Sequence, residues 1–118
     1  MKKVLISLLF MPFFVSAGED FISHYEYGEM LYANPRGVSC SQCHGQNGEG
    51  QVIVTYMNGK ETLRGSDIRR NTLQEMIISV NKEHKVMPRY YLTDSEIEAI
   101  YDYLRKKNKR FLSNIQGK

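Results

Sequence analysis

The 118-residue sequence predicts an all-α domain, a bundle of short helices joined by glycine-rich loops, with one small β-hairpin near residues 51–63. Three observations carry that expectation. Two segments open with Thr-x-x-Glu and continue with apolar residues at helical spacing, Thr72–Val80 and Thr93–Leu104. One run, QVIVTYM at Gln51–Met57, is rich in the β-branched and aromatic residues that suit a strand. The rest is short segments broken by glycine, proline and asparagine, too brief for a large sheet.

Taken in order, Phe21–Ala33 reads as a first short helix carrying Tyr25, Met30, Leu31 and Tyr32, with Gly28 among them. Asn34 and Pro35 end it, because proline has no N–H to donate and clashes with the preceding turn. A loop through Arg36 and Gly37 leads into Cys40–His44, which is expected on a single tight helical turn. Gln51–Met57, the turn signal Asn58-Gly59 and the return Lys60–Leu63 make the hairpin. An irregular loop is the alternative there, since two strands alone are marginally stable. In the next helix Leu73, Met76, Ile77 and Val80 share a face, and in the last one Ile97, Ile100, Tyr101, Tyr103 and Leu104 do. The last helix ends in Arg105, Lys106, Lys107, Lys109 and Arg110, where cations complement the helix dipole. The same cluster offers a docking patch for acidic partners.

The first residues read differently. Lys2 and Lys3 precede an apolar run from Val4 to Val15, followed by the small residues Ser16 and Ala17, which is the pattern of a secretory signal peptide over residues 1–17. Its apolar run of 12 residues, Pro12 included, is shorter than the roughly 20 that span a bilayer. An uncleaved anchor is the alternative. Cleavage after Ala17 leaves residues 18–118 as one domain, expected in the periplasm as a monomer with no stable membrane insertion. Beyond Lys2 and Lys3 the chain holds 14 basic and 13 acidic side chains. Bulk charge therefore says little about partners, and no nucleic acid is expected.

The chemistry is concentrated at Cys40-Ser41-Gln42-Cys43-His44, which contains the only two cysteines. Thiols at this spacing add to the two vinyl groups of a porphyrin, and the adjoining imidazole binds the iron. The pattern thus predicts one covalently bound haem c, attached through Cys40 and Cys43 with His44 as an axial iron ligand. A redox-active disulfide, a simple disulfide or half a zinc site are the competing readings. The first wants the pair inside a βαβ unit, whereas Gly45, Gly48 and Gly50 follow. The zinc reading wants four ligands, and His24 and His84 stand at no zinc-finger spacing from the pair. A chain this small, with five Pro and Gly residues between Asn34 and Gly50, also gains from a rigid apolar cofactor at its centre. Without haem it is expected to be largely unfolded.

The opposite face of the iron is open to water, substrate or a second side chain. Met30, Met57, Met76, Met87, His24 and His84 are the candidates. Met76 belongs to an apolar helix face, and Met57 lies 13 residues after His44, beside a turn. Met87 precedes Pro88, which drives its backbone toward an extended form, and it lies 43 residues beyond His44, enough chain to reach the other face. Met87 is the expected second ligand; His84 is its main rival, and a plain surface methionine is the remaining alternative.

The chain resembles the class I c-type cytochromes. The marks are Gly28 with Tyr32, CSQCHG at Cys40–Gly45, Leu63 with Gly65, Met87 with Pro88, and Ile100 with Tyr103. The resemblance implies a cytochrome c-like fold wrapped around haem with one edge exposed, thioether bonds from Cys40 and Cys43, and iron ligation by His44 and Met87. It also implies that the Gly28 helix packs on the helix of Ile100 and Tyr103. Two positions depart from the family. Glu61 stands where members often have a proline near the carbonyl that orients the haem-binding histidine, and no Trp is present to contact a propionate. Tyr56, Arg64, Tyr90 and Tyr91 are candidate replacements for that contact.

The function expected is a one-electron carrier, not an enzyme, cycling haem iron between Fe(III) and Fe(II) between redox partner proteins. One rival is a gas sensor or peroxide-reacting protein with an open iron position. Another is a fixed haem subunit of a membrane oxidoreductase complex. No catalytic residues are expected: no Ser, His, Asp arrangement is supported, and the glycines after His44 lack a Walker lysine.

Overall fold

A computed structural model describes residues 22–117 of the chain. The expected signal segment 1–17, the boundary at Gly18 and Phe21 lie outside the described residues. Five helices and a two-stranded antiparallel sheet follow in the order α1 (His24–Ala33), α2 (Cys40–His44), β1 (Val52–Thr55), β2 (Thr62–Arg64), α3 (Leu73–Asn81), α4 (Asp94–Lys107) and α5 (Lys109–Gln116). Among the described residues no helix is long and apolar enough to cross a membrane.

The starts of α3 and α4 are built as the sequence implies. Thr72 and Thr93 each accept from the backbone N–H three residues on, and Glu75 and Glu96 each accept from the N–H of the capping threonine. Those reciprocal bonds satisfy N–H groups that would otherwise have no partner. The α1 helix begins later than the sequence suggests, because Ser23 caps it by accepting from Glu26 N–H. At the other end of the chain the basic run is not one helix end. The α4 helix stops at Asn108, whose buried side-chain amide donates to the Leu104 carbonyl at 2.8 Å and the Asn47 carbonyl at 2.7 Å, and α5 starts afresh at Lys109. An asparagine that bonds its own backbone competes with helix continuation, so one residue splits the segment.

The central contact is α1 against α4. Gly28 makes it possible: a Cβ there would stand 2.1 Å from the Ala99 carbonyl oxygen and 2.7 Å from Tyr103 Cβ. The crossing buries Leu31, Tyr32, Ala99, Ile100, Tyr103 and Leu104, and the ring of Tyr103 stands 5.1 Å from that of Tyr25 and 5.7 Å from that of Tyr32. Aromatic pairs at such spacing add to the burial itself. The α3 helix packs on the same α4 through Met76.

The hairpin forms where the sequence places it. Gly59 has φ 68 and Asn58 Oδ1 accepts from Lys60 and Glu61 N–H, so both turn residues serve the reversal. Val54 pairs with Leu63 and Val52 with Arg64, with a register irregularity between Val52 and Val54. The extra residue, Ile53, turns inward together with Leu63 while Val52 and Val54 stay exposed.

A clamp fixes the loop that feeds the cysteine turn. Arg36, at φ 60, donates from two guanidinium nitrogens to the two carboxylate oxygens of Glu96 at 2.7 and 2.8 Å and to the Tyr91 carbonyl at 3.0 Å. The Arg36 guanidinium, helped by Thr93 N–H, holds the Glu96 carboxyl down at about 2. A carboxyl lowered on folding stabilises the fold fully above its ordinary value of 4.5, and that contribution drains away as pH falls from there toward 2. The thermal midpoint of the native protein is accordingly expected to drop more steeply between pH 5 and pH 2 than that of Glu96→Gln. Parallel pH profiles would show the clamp idle.

Candidate functional site

The cysteine turn is a helix of five residues, started by Ser39 accepting from Ser41 N–H and ended at Gly45, whose φ of 82 lets the chain leave sharply. Tyr32 on α1 donates its hydroxyl to the Gly45 carbonyl, so the α1–α4 crossing also holds the turn's exit. On the far side, Lys107 Nζ donates to the Gln46 carbonyl at 2.8 Å and Asn108 to the Asn47 carbonyl. The loop after His44 is therefore tied to both ends of the helical core.

The segment after β2 closes against the turn from the opposite direction. A Cβ on Gly65 would lie 1.6 Å from the Cys43 carbonyl oxygen, so only glycine admits this approach. Gly65 N–H donates to the Gln51 carbonyl at 2.9 Å, and Gly50 N–H donates to the His44 carbonyl at 2.6 Å. The approach brings the Ser66 carbonyl to 2.8 Å from His44 Nδ1. A carbonyl only accepts, so Nδ1 carries the hydrogen and Nε2 presents the lone pair. The place that Glu61 left open in the sequence is filled by the backbone carbonyl of Ser66, two residues beyond the end of β2.

A cavity of about 290 Å3 opens beside this turn. Cys40, Cys43 and His44 line it together with Ile53 and Leu63 of the hairpin, Met76 and Val80 of α3, Leu92, and Ile97 and Ile100 of α4. Met87 lines it too, and a smaller recess is bounded by Cys40, Cys43, His44, Met87 and Pro88. The structure thus brings the four residues singled out in the sequence to one apolar space. The other methionine candidates part company. Met30 is 51% and Met57 108% exposed, both away from the cavity, while Met76 is buried on α3 as one of the cavity's walls. His24 pairs with Asp102 at 2.8 Å on the α1–α4 surface, and His84 lines the cavity with its Nε2 on the Ser79 carbonyl at 2.7 Å.

Both cysteines are free thiols, and among the described residues no three His, Cys, Asp or Glu side chains gather as a metal cluster would require. Burial pushes the Cys40 thiol up to about 11, the reverse of what a redox-active thiolate needs. Tyr90 donates its hydroxyl to the Val38 carbonyl at 2.6 Å, and burial, followed by the nearby Cys40 and Cys43, raises its phenol to about 12. Of the four candidates for the missing Trp contact, Arg64 and Tyr90 line the cavity, whereas Tyr56 and Tyr91 are 50% and 82% exposed and do not. Sequence reasoning had no signal for Ser66, because a carbonyl acts through its position and not its side chain. The Arg36–Glu96 clamp is equally silent in the sequence, since Glu96 also serves as a capping residue.

The basic patch is partly spent on the fold itself. Arg105 donates to the Tyr101 hydroxyl at 2.8 Å, Lys106 stands 5.2 Å from the ring of Tyr25, and Lys107 bonds Gln46 and Tyr103.

The family model described as "Cytochrome C oxidase, cbb3-type, subunit III" matches residues 24–104. No curated protein and no solved structure matches the chain. Covalent haem c, which this family implies, suits the residues present: two free thiols, an imidazole with its lone pair on Nε2, and apolar walls around one cavity. A match that runs from the first residue of α1 to the end of the buried part of α4 embraces the whole cavity, and the chain belongs to this family of c-type cytochrome domains.

Proposed function

We propose that this chain is an exported one-electron carrier holding a single haem through Cys40 and Cys43, with His44 and Met87 as the axial ligands. The observation that carries the reading is the meeting of those four residues on one apolar cavity. When bound, the haem supplies a one-electron couple between Fe(III) and Fe(II). The chain's own residues do the rest. Ser66 holds His44 in the tautomer that offers Nε2 and fixes the plane of its ring. Met87 favours the reduced state, since a thioether is a softer ligand than imidazole. Met76, Leu92, Ile97 and Ile100 keep water from the interior, which holds the geometry nearly constant between oxidation states.

Export to the periplasm is supported by the Lys2–Ala17 pattern, and redox proteins are the partners. A second reading is favoured by the description of the matched family, which names an oxidase subunit: the same haem chemistry in a chain permanently attached to a membrane complex. Cell fractionation separates the two, a free carrier appearing in the soluble fraction.

Mass spectrometry and a pyridine haemochrome spectrum of the purified protein test the core of the proposal. One haem added to the polypeptide mass through two thioether bonds is expected, together with a methionine-ligated low-spin signature and slow carbon monoxide binding when reduced. A bare polypeptide mass, or a signature unchanged in Met87→Ala, defeats the assignment.

A further inference from the structure

Three histidines lie among the described residues, and two of them share a feature that the third lacks. His44 and His84 both line the cavity, and each has one ring nitrogen on a backbone carbonyl, Nδ1 on Ser66 at 2.8 Å and Nε2 on Ser79 at 2.7 Å. That is how a metal-ligating imidazole is oriented: one nitrogen donates to an outer acceptor and the other keeps its lone pair. For neutral His84 the Ser79 carbonyl fixes the hydrogen on Nε2, so Nδ1 carries the lone pair. His24 is instead paired with a carboxylate outside the cavity.

The surrounding chain can bring that nitrogen inward. The α3 helix ends at Asn81, and among the described residues no backbone N–H from residues 83–89 donates to a backbone carbonyl. A segment without such bonds shifts at low cost. It also carries Met87, three residues on, so His84 and the thioether reach the cavity from one piece of chain.

We propose that His84 is a second distal ligand of this site, taking the iron position whenever the Met87 thioether leaves it. The inference rests on the haem reading above. In the exchange the iron–sulfur bond breaks and an iron–nitrogen bond to His84 Nδ1 forms, with no electron or proton transferred. Fe(III) is the harder ion and favours the exchange, whereas Fe(II) favours the thioether, so the ligand set is tied to the oxidation state.

The test uses the haem-loaded protein at neutral pH. Met87→Ala is expected to lose the methionine signature yet stay low-spin when ferric, with the electron paramagnetic resonance pattern of two imidazoles. The Met87→Ala, His84→Ala double variant is expected to turn high-spin and to bind added imidazole about tenfold tighter or more, as follows if His84 occupies the position at least nine-tenths of the time. A high-spin Met87→Ala protein overturns the proposal and leaves the haem reading standing, as does a double variant that stays low-spin. A wild-type product without covalent haem overturns both, and its mass reveals that before any spectrum is read.

Discussion

The Cys40→Ala, Cys43→Ala double variant, purified free of haem, is expected to lose most of its helical circular dichroism and to show no cooperative thermal transition. The reason is the position of the cavity. Met76, Leu92, Ile97 and Ile100 are core residues and also its walls, so without the cofactor the centre of the molecule is hollow. At about 24 cal/mol per Å3, a void of about 290 Å3 costs up to ~7 kcal/mol, an upper figure because the cavity opens to water. The whole stability of a small domain is only about 5–15 kcal/mol. A near-native melting transition in this variant would mean that α1, α3 and α4 suffice as a core on their own.

Gly65→Ala is expected to lower the thermal midpoint of the haem-loaded protein by about 15 °C, corresponding to roughly 3 kcal/mol of overpacking in a domain of this size. The added methyl group would fall 1.6 Å from the Cys43 carbonyl oxygen, and backbone on backbone cannot relax by a change of rotamer. The displacement also carries Ser66 away from His44, so a weakened, reoriented His44 ligand and a lower yield of attached haem should accompany the lost stability. Gly37→Ala is the control. Its nearest neighbour would be Tyr90 Cε1 at 3.4 Å, ordinary contact with a side chain, and a change within a few degrees is expected. Equal effects of the two substitutions would show that the contact between the cysteine turn and the segment after β2 is not tight in solution.

Much of this protein is legible along the chain because it is local. The capping boxes at Thr72 and Thr93, the Asn58-Gly59 reversal and the five-residue spacing of Cys40–His44 depend on neighbours within one or two turns, and each forms where the residues call for it. Less was readable where side chains of one kind compete. Met87 and Met76 differ little as residues, and both line the cavity, while Met30 and Met57 fall away from it only once the chain is folded.

The starts of α3 and α4, the hairpin turn and the motif that names the chemistry are written in the chain, since all of these follow from short-range hydrogen bonding and periodicity. Which carbonyl orients His44, that Arg36 locks onto Glu96, that Asn108 divides the basic helix, and that His84 faces the same space as Met87 depend on the assembled fold. Those contacts join residues far apart in the chain or use the backbone, which every residue carries alike, so no residue pattern encodes them.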